Sequence, residues 1–129
     1  MQEPAAWEGQ SVADVMLRRP KTLDVAATVG DVRRLFENPR VETALLVEDG
    51  SFRGAIERDD LPAGVPDDSP ALDHARRDLP SIARTATVDE ALEVLGREGT
   101  RRLIVLDQSG EALDGLLCLN RSGTAFCTV

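Results

Sequence analysis

The side chains able to do chemistry in this 129-residue chain are few and scattered. His74 is its single histidine, so no Ser/His/Asp set can be assembled, and His74 reads as a surface residue. Neither a P-loop nor a G-x-G-x-x-G stretch is present, so nucleotide phosphate is not held in those ways. The adjacent acids Asp59-Asp60 and Asp67-Asp68 need not converge on one substrate, and a solvated turn accounts for them equally well. Cys118 and Cys127 fit no zinc spacing and have no histidine near them. They are expected as reduced structural thiols, with a disulfide as the alternative. No catalytic constellation emerges, so the chain is not expected to be an enzyme. What remains is recognition by carboxylates and by arginine, which is paired at Arg18-Arg19, Arg33-Arg34, Arg76-Arg77 and Arg101-Arg102. Such pairs are mostly solvated faces and less often anion contacts.

The balance of charge narrows the partners. With 15 basic against 23 acidic residues the net charge is −8, and the acids are spread along the chain. Nucleic-acid binding needs a basic surface that displaces counterions, and anionic lipid needs a basic patch, so neither partner is expected. No apolar run approaches the ~20 residues of a membrane span, and the first residues lack a signal-like apolar core. A cytoplasmic location is therefore expected. The length suits one compact domain or two small subdomains, and a unit of ~60 residues is marginal unless packed against another.

A repeat organises the chain. Shifted by 59 positions, Thr22-Leu23-Asp24-Val25-Ala26-Ala27-Thr28-Val29 lies over Ser81-Ile82-Ala83-Arg84-Thr85-Ala86-Thr87-Val88. The same shift sets Leu45-Leu46-Val47-Glu48 over Ile104-Val105-Leu106-Asp107, and a two-residue insertion in the next turn brings Gly54 onto Gly115. Residue class and spacing agree over about 40 positions, which chance rarely gives.

Each copy predicts the same elements. A short extended segment (22–25; 81–84) leads to a helix capped by Thr28 or Thr87. Thr87-Val88-Asp89-Glu90 reads as the full capping box and Thr28-Val29-Gly30-Asp31 as a weaker version. Val29, Val32, Leu35 and Phe36 form one helical stripe, and Val88, Ala91, Leu92 and Leu95 another. The helices stop at Asn38-Pro39 and Gly99. Buried strands follow (44–47; 103–106), then turns at Asp49-Gly50 and Ser109-Gly110 and partner strands (52–57; 112–118). A short helical piece at 58–61 closes the first copy, so the order reads β-α-β-β-α, twice. Short amphipathic helices precede the copies at 12–16 and 72–75. The division expected is an arm (1–10) that Trp7 anchors or leaves exposed, a first domain (11–61), a linker rich in proline and turn residues (62–70) and a second domain (71–129). The stretch 122–129 is left open between a last strand and a tail.

These features resemble the CBS domain pair, or Bateman module. The resemblance covers about residues 11–121 and rests on element order, duplication and three short stretches. Val12-Ala13-Asp14-Val15-Met16 is similar to the lead-in helix. Arg101-Arg102-Leu103-Ile104-Val105-Leu106-Asp107 is similar to the family's "R-x-L-P-V-V-D" strand, and Gly54-Ala55-Ile56-Glu57-Arg58-Asp59-Asp60 to its "G-I-V-T-x-x-D" ending. The resemblance implies an α/β (α+β) fold of two β-α-β-β-α units packed about a pseudo-twofold axis. It also implies clefts for adenosine-type ligands such as AMP, ADP, ATP or S-adenosylmethionine, and a homodimer.

On this resemblance Asp60 closes the pattern as the carboxylate that accepts both ribose hydroxyls, although a helix cap or surface charge uses the same residue type. Thr22 and Ala27 stand where the base edge is supplied, with Leu46 and Ile56 lining an apolar slot. Arg18, Arg19 and Lys21 lie near for a phosphate. Glu57 replaces the family's Thr or Ser and weakens phosphate binding unless a cation compensates; alternatively it points to solvent. In the second copy Ser81, Ala86, Val105 and Leu117 keep the slot, but Cys118 takes the hydroxyl position and Arg121 that of the ribose-binding Asp. Arg121 reads as an exposed side chain, with an acid or phosphate contact as the alternative, and the first cleft is favoured. The expected function is a regulatory ligand-sensing module acting in trans on an effector protein. The alternatives are a CBS pair without ligand, serving dimerisation or docking, and a tandem amino-acid-sensing βαββαβ module, which the lead-in helices and the G-x-x-x-x-x-D ending disfavour.

Overall fold

The computed structural model describes residues 9–61, 63–120 and 122–127; Trp7 lies outside them. Its elements follow the repeat. After α1 (Val12–Val15) come β1 (Thr22–Asp24), α2 (Val29–Leu35), β2 (Thr43–Glu48) and β3 (Ser51–Glu57), then β4 (Ser81–Ala83), α3 (Val88–Glu98), β5 (Arg102–Leu106) and β6 (Leu113–Cys118). Two single turns of 3₁₀ helix lie at Arg58–Asp60 and Ala71–His74. The result is a mixed α+β fold with two three-stranded sheets, ordered β1-β2-β3 and β4-β5-β6.

In each sheet the first strand runs parallel to the second, and the second antiparallel to the third. The parallel crossover needs a connecting helix, which α2 and α3 provide. The antiparallel hairpin needs only a turn. Asp49 and Gly50 both take positive φ (51° and 84°), the signature of the two-residue type I′ turn that matches strand twist. The insertion in the second copy falls in that turn. There the Asp107 carboxylate accepts from the Ser109 hydroxyl and from the amides of Ser109 and Ala112. These bonds, the Ser109 hydroxyl foremost, hold the Asp107 carboxyl below the ordinary range.

Strand alternation divides each sheet into two faces. Ala44, Leu46 and Ile56 join Val32 and Phe36 in one core; Leu103, Val105 and Leu117 join Val88, Ala91 and Leu95 in the other. Both hairpins, β2–β3 and β5–β6, carry a bulge at the same place, between Leu46 and Val47 and between Val105 and Leu106.

The compact units do not follow the sequence repeats. One unit is the continuous segment Pro20–Leu79; the other joins the residues up to Arg19 to those from Pro80 onward. Each sheet therefore takes its lead-in segment from the other copy. Leu17 exchanges two backbone hydrogen bonds with Leu116 of β6 (2.8 and 3.1 Å), and Arg76 exchanges two with Ala55 of β3 (both 2.9 Å). Higher up, the amide of Val12 donates to the Ala86 carbonyl and that of Ala71 to the Ala27 carbonyl. Gly115 and Gly54 make this approach feasible. A Cβ on Gly115 would meet the Leu17 carbonyl at 2.6 Å, and one on Gly54 the Ala75 side chain at 2.9 Å.

Three expectations change. The complete capping box belongs to α2, where the Thr28 hydroxyl accepts from the Asp31 amide (3.2 Å) and the Thr28 amide donates to the Asp31 carboxylate (2.9 Å). At α3 Thr87 accepts from the Glu90 amide (3.1 Å) without the return bond, so the shorter Asp side chain closes the ring that Glu90 leaves open. The lead-in of the second copy is a 3₁₀ turn at Ala71–His74, whereas the lead-in of the first, of the same length, is α-helical. The second copy also lacks a closing helical turn among the described residues. Its chain instead doubles back after β6, with the Cys127 amide donating to the Cys118 carbonyl (2.6 Å) and Phe126 entering the core.

That return brings the two thiols together. Cys118 and Cys127 form a disulfide, with Cα atoms 5.2 Å apart, inside the range a disulfide spans. The expectation of reduced thiols is thereby corrected. Nine residues of separation hid the pairing, since proximity comes with the hydrogen bonds between Asn120 and Thr124, which hydropathy does not mark.

Candidate functional site

The continuous unit presents its polar groups on the sheet face opposite its core. Thr22 of β1 is opposite Leu45 of β2, Leu45 opposite Ala55 of β3, and Ala55 opposite Arg76 of the lead-in segment. Residues directly opposite share a face, so Thr22, Leu45, Ala55 and Arg76 form one row across the sheet. The next row on this face is Thr43 and Glu57, whose side chains meet as the Thr43 hydroxyl donates to the Glu57 carboxylate (2.8 Å). Thr43 is a buried polar side chain, at 6% exposure, and this bond satisfies it.

Glu57 is also the cap of the 3₁₀ turn that ends on Asp60. That turn is fixed from behind by Arg58, which donates to the carbonyls of Asn38 and Val41, lies 3.7 Å from the Glu42 carboxylate and stacks over the Phe36 ring at 4.9 Å. Arg58 is thus committed to the scaffold. Asp60, 35% exposed, accepts an ion pair from Arg76 Nη2 at 2.7 Å, and Arg76 itself is 57% exposed. The corner therefore carries one carboxylate bound to a hydroxyl and one bound to a guanidinium, with the exposed Thr22 on the β1 edge of the same face.

The residues expected to act together are split by this geometry. Thr22, Glu57 and Asp60 fall on or beside one face. Leu46 and Ile56 are fully buried in the core on the other, because they sit one position out of phase with Thr22 in the strand alternation. The apolar positions sharing the face of Thr22 are Leu45 and Ala55. Ala27 has both backbone groups in use, its amide donating to Asp24 and its carbonyl accepting from Ala71, so an incoming base would share that carbonyl's second lone pair. Arg18, Arg19 and Lys21, which precede β1 in the chain, are exposed.

The other unit has the same rows with different chemistry. Ser81, Ile104, Leu116 and Leu17 occupy the row of Thr22, Leu45, Ala55 and Arg76. Arg102 and Cys118 replace Thr43 and Glu57, and Cys118 is spent in the disulfide. Val105 and Leu117 belong to the core, as Leu46 and Ile56 do, and Ala86 is packed against it. Arg121 lies outside the described residues. Arg76 is the residue that reading the chain linearly missed. It sits in the second copy's lead-in, and only the exchange of segments brings it to the first copy's sheet.

The family model of the CBS domain matches residues 12–62 and 71–120. The chain belongs to the CBS domain family. Among solved structures it is similar to a CBS domain protein from Pyrobaculum aerophilum complexed with AMP, at 22% identity over 88% of this chain and 94% of that one (TM-score 0.73). It is similar to CBSX2 in complex with AMP, at 20% identity over 90% of this chain and 93% of that one (TM-score 0.75). The cytosolic domain of the Mg²⁺ channel MgtE, solved with ATP, aligns at 16% identity and a TM-score of 0.70. That match covers 81% of this chain, which spans 44% of the MgtE domain. Compared by sequence with curated proteins, the chain finds no match. Among the described residues no helix is long and apolar enough to cross a membrane, and no cluster of His, Cys, Asp or Glu is arranged to hold a metal ion.

Proposed function

We propose that this CBS pair is a regulatory module that binds an adenosine nucleotide on the Thr22–Asp60 face of its continuous unit and acts in trans on an effector protein. The observation that carries the reading is the placement of Asp60. This residue closes the G-x-x-x-x-x-D pattern, and its carboxylate pairs with Arg76, which ends the row that Thr22 begins. Because Arg76 engages Oδ2, Oδ1 remains to accept the two hydroxyls of a ribose. Two of the similar structures were solved with AMP and one with ATP, which supports this ligand class. We take the working form to be a homodimer, as the family resemblance implies.

A thermal-shift panel of AMP, ADP, ATP and S-adenosylmethionine tests the reading. At a ligand concentration 100 times the dissociation constant, linkage gives about 2.7 kcal/mol of stabilisation, so one ligand is expected to raise Tm clearly and Asp60→Ala to remove the rise. No rise with any ligand at millimolar concentration would leave a dimerisation or docking module, the second reading, which Glu57 and the divergent second copy favour.

A further inference from the structure

Arg76 has no counterpart in the other unit and no role in holding the core. Its backbone bridge to Ala55 is made by N–H and C=O alone, and the equivalent bridge in the other unit is made by Leu17. The guanidinium is therefore surplus to the fold. It is directed by the bridge to the face of Thr22, Leu45 and Ala55, and it is more than half exposed while paired with Asp60.

The corner needs a cation if an anion is to approach. Glu57, Asp59 and Asp60 fall within four consecutive residues, and Arg58 is occupied by two carbonyls, Glu42 and Phe36. A guanidinium has five N–H donors in a planar fork, so one bond to Asp60 leaves donors for a second acceptor. The same side chain can orient the carboxylate that takes the ribose and meet the group attached to its 5′ carbon.

We propose that Arg76 is a specificity residue that reads the 5′-phosphate of a nucleoside bound at Asp60, transferring most of its ion pair from the carboxylate to the phosphate. The inference rests on the ligand site proposed above and adds to it the distinction between a phosphorylated and an unphosphorylated nucleoside. The distinction belongs to this unit alone, since Leu17 carries no charge at the matching position.

Calorimetric titration of the whole chain with adenosine and with AMP tests the proposal on wild type and on Arg76→Leu, which installs the residue found at the matching position. Wild type is expected to bind AMP about tenfold more tightly than adenosine, and Arg76→Leu to bring the two within about twofold. Should Arg76→Leu fail to fold, Arg76→Gln carries the same comparison. A merely structural Arg76 would weaken both ligands together and preserve their ratio, which overturns the proposal. Equal binding of adenosine and AMP by wild type also overturns it, while leaving the Asp60 site intact. Binding of neither ligand removes the site and the proposal with it.

Discussion

Replacing Glu57 by threonine restores the residue type of the family pattern and removes a negative charge from the face that carries Arg76. A like charge at the rim of a half-exposed site costs an incoming phosphate about 1 kcal/mol. Glu57→Thr is therefore expected to tighten AMP binding several-fold and to leave adenosine unchanged, read by titration; equal tightening of both would put Glu57 away from the phosphate. Two other carboxylates act on folding. The Thr28 amide bond lowers Asp31, which also pairs with Arg34, and the Ser109 hydroxyl bond lowers Asp107. Both folded-state values lie below the ordinary 3.8. Their stabilisation is thus complete above that value and is lost as the pH falls through the lowered values. Asp31→Asn with Asp107→Asn should flatten the acid limb of a pH–stability curve and leave its shape above pH ~5 unchanged.

At the level of elements, the lead-in segments depend on two glycines. Gly54→Val and Gly115→Val each drive a side chain into the incoming segment, and overpacking of this kind costs about 1–3 kcal/mol. The larger loss is expected at Gly115, where the backbone carbonyl of Leu17 lies at 2.6 Å, against 2.9 Å to the Ala75 Cβ and 3.3 Å to the Arg76 carbonyl at Gly54, and urea unfolding measures it. The return after β6 has its own clasp. Reducing the disulfide, or Cys127→Ser, removes a constraint on a nine-residue separation and should cost about 2–3 kcal/mol, seen as a lower urea midpoint. The strands, helices and turns were legible because periodicity and Asp-Gly chemistry are local signals. The exchange of lead-ins was not, since Leu17 and Arg76 find their partners 99 and 21 residues away in sequence. Phase was the other loss: apolar runs such as Ala44–Val47 are buried on both faces, so nothing in them shows whether Leu45 or Leu46 shares the side of Thr22.

Taken as a whole, the molecule is a duplicated scaffold with one chemically equipped half. Both units keep the sheet order, the bulge, the glycine and the lead-in bridge. In one of them Thr22 and Arg76 end a row whose middle, Leu45 and Ala55, is buried, and Asp60 pairs with Arg76; in the other Ser81 and Leu17 end the matching row, and the next row ends in the disulfide-bonded Cys118. The duplication supplies the fold, and on the proposed reading the divergence of a few side chains confines ligand binding to the continuous unit. The most direct measurement is the stoichiometry of AMP binding by calorimetry, on wild type and on Asp60→Ala. The account predicts one site per chain and none after the substitution. Two sites per chain, or one that survives Asp60→Ala, would contradict it.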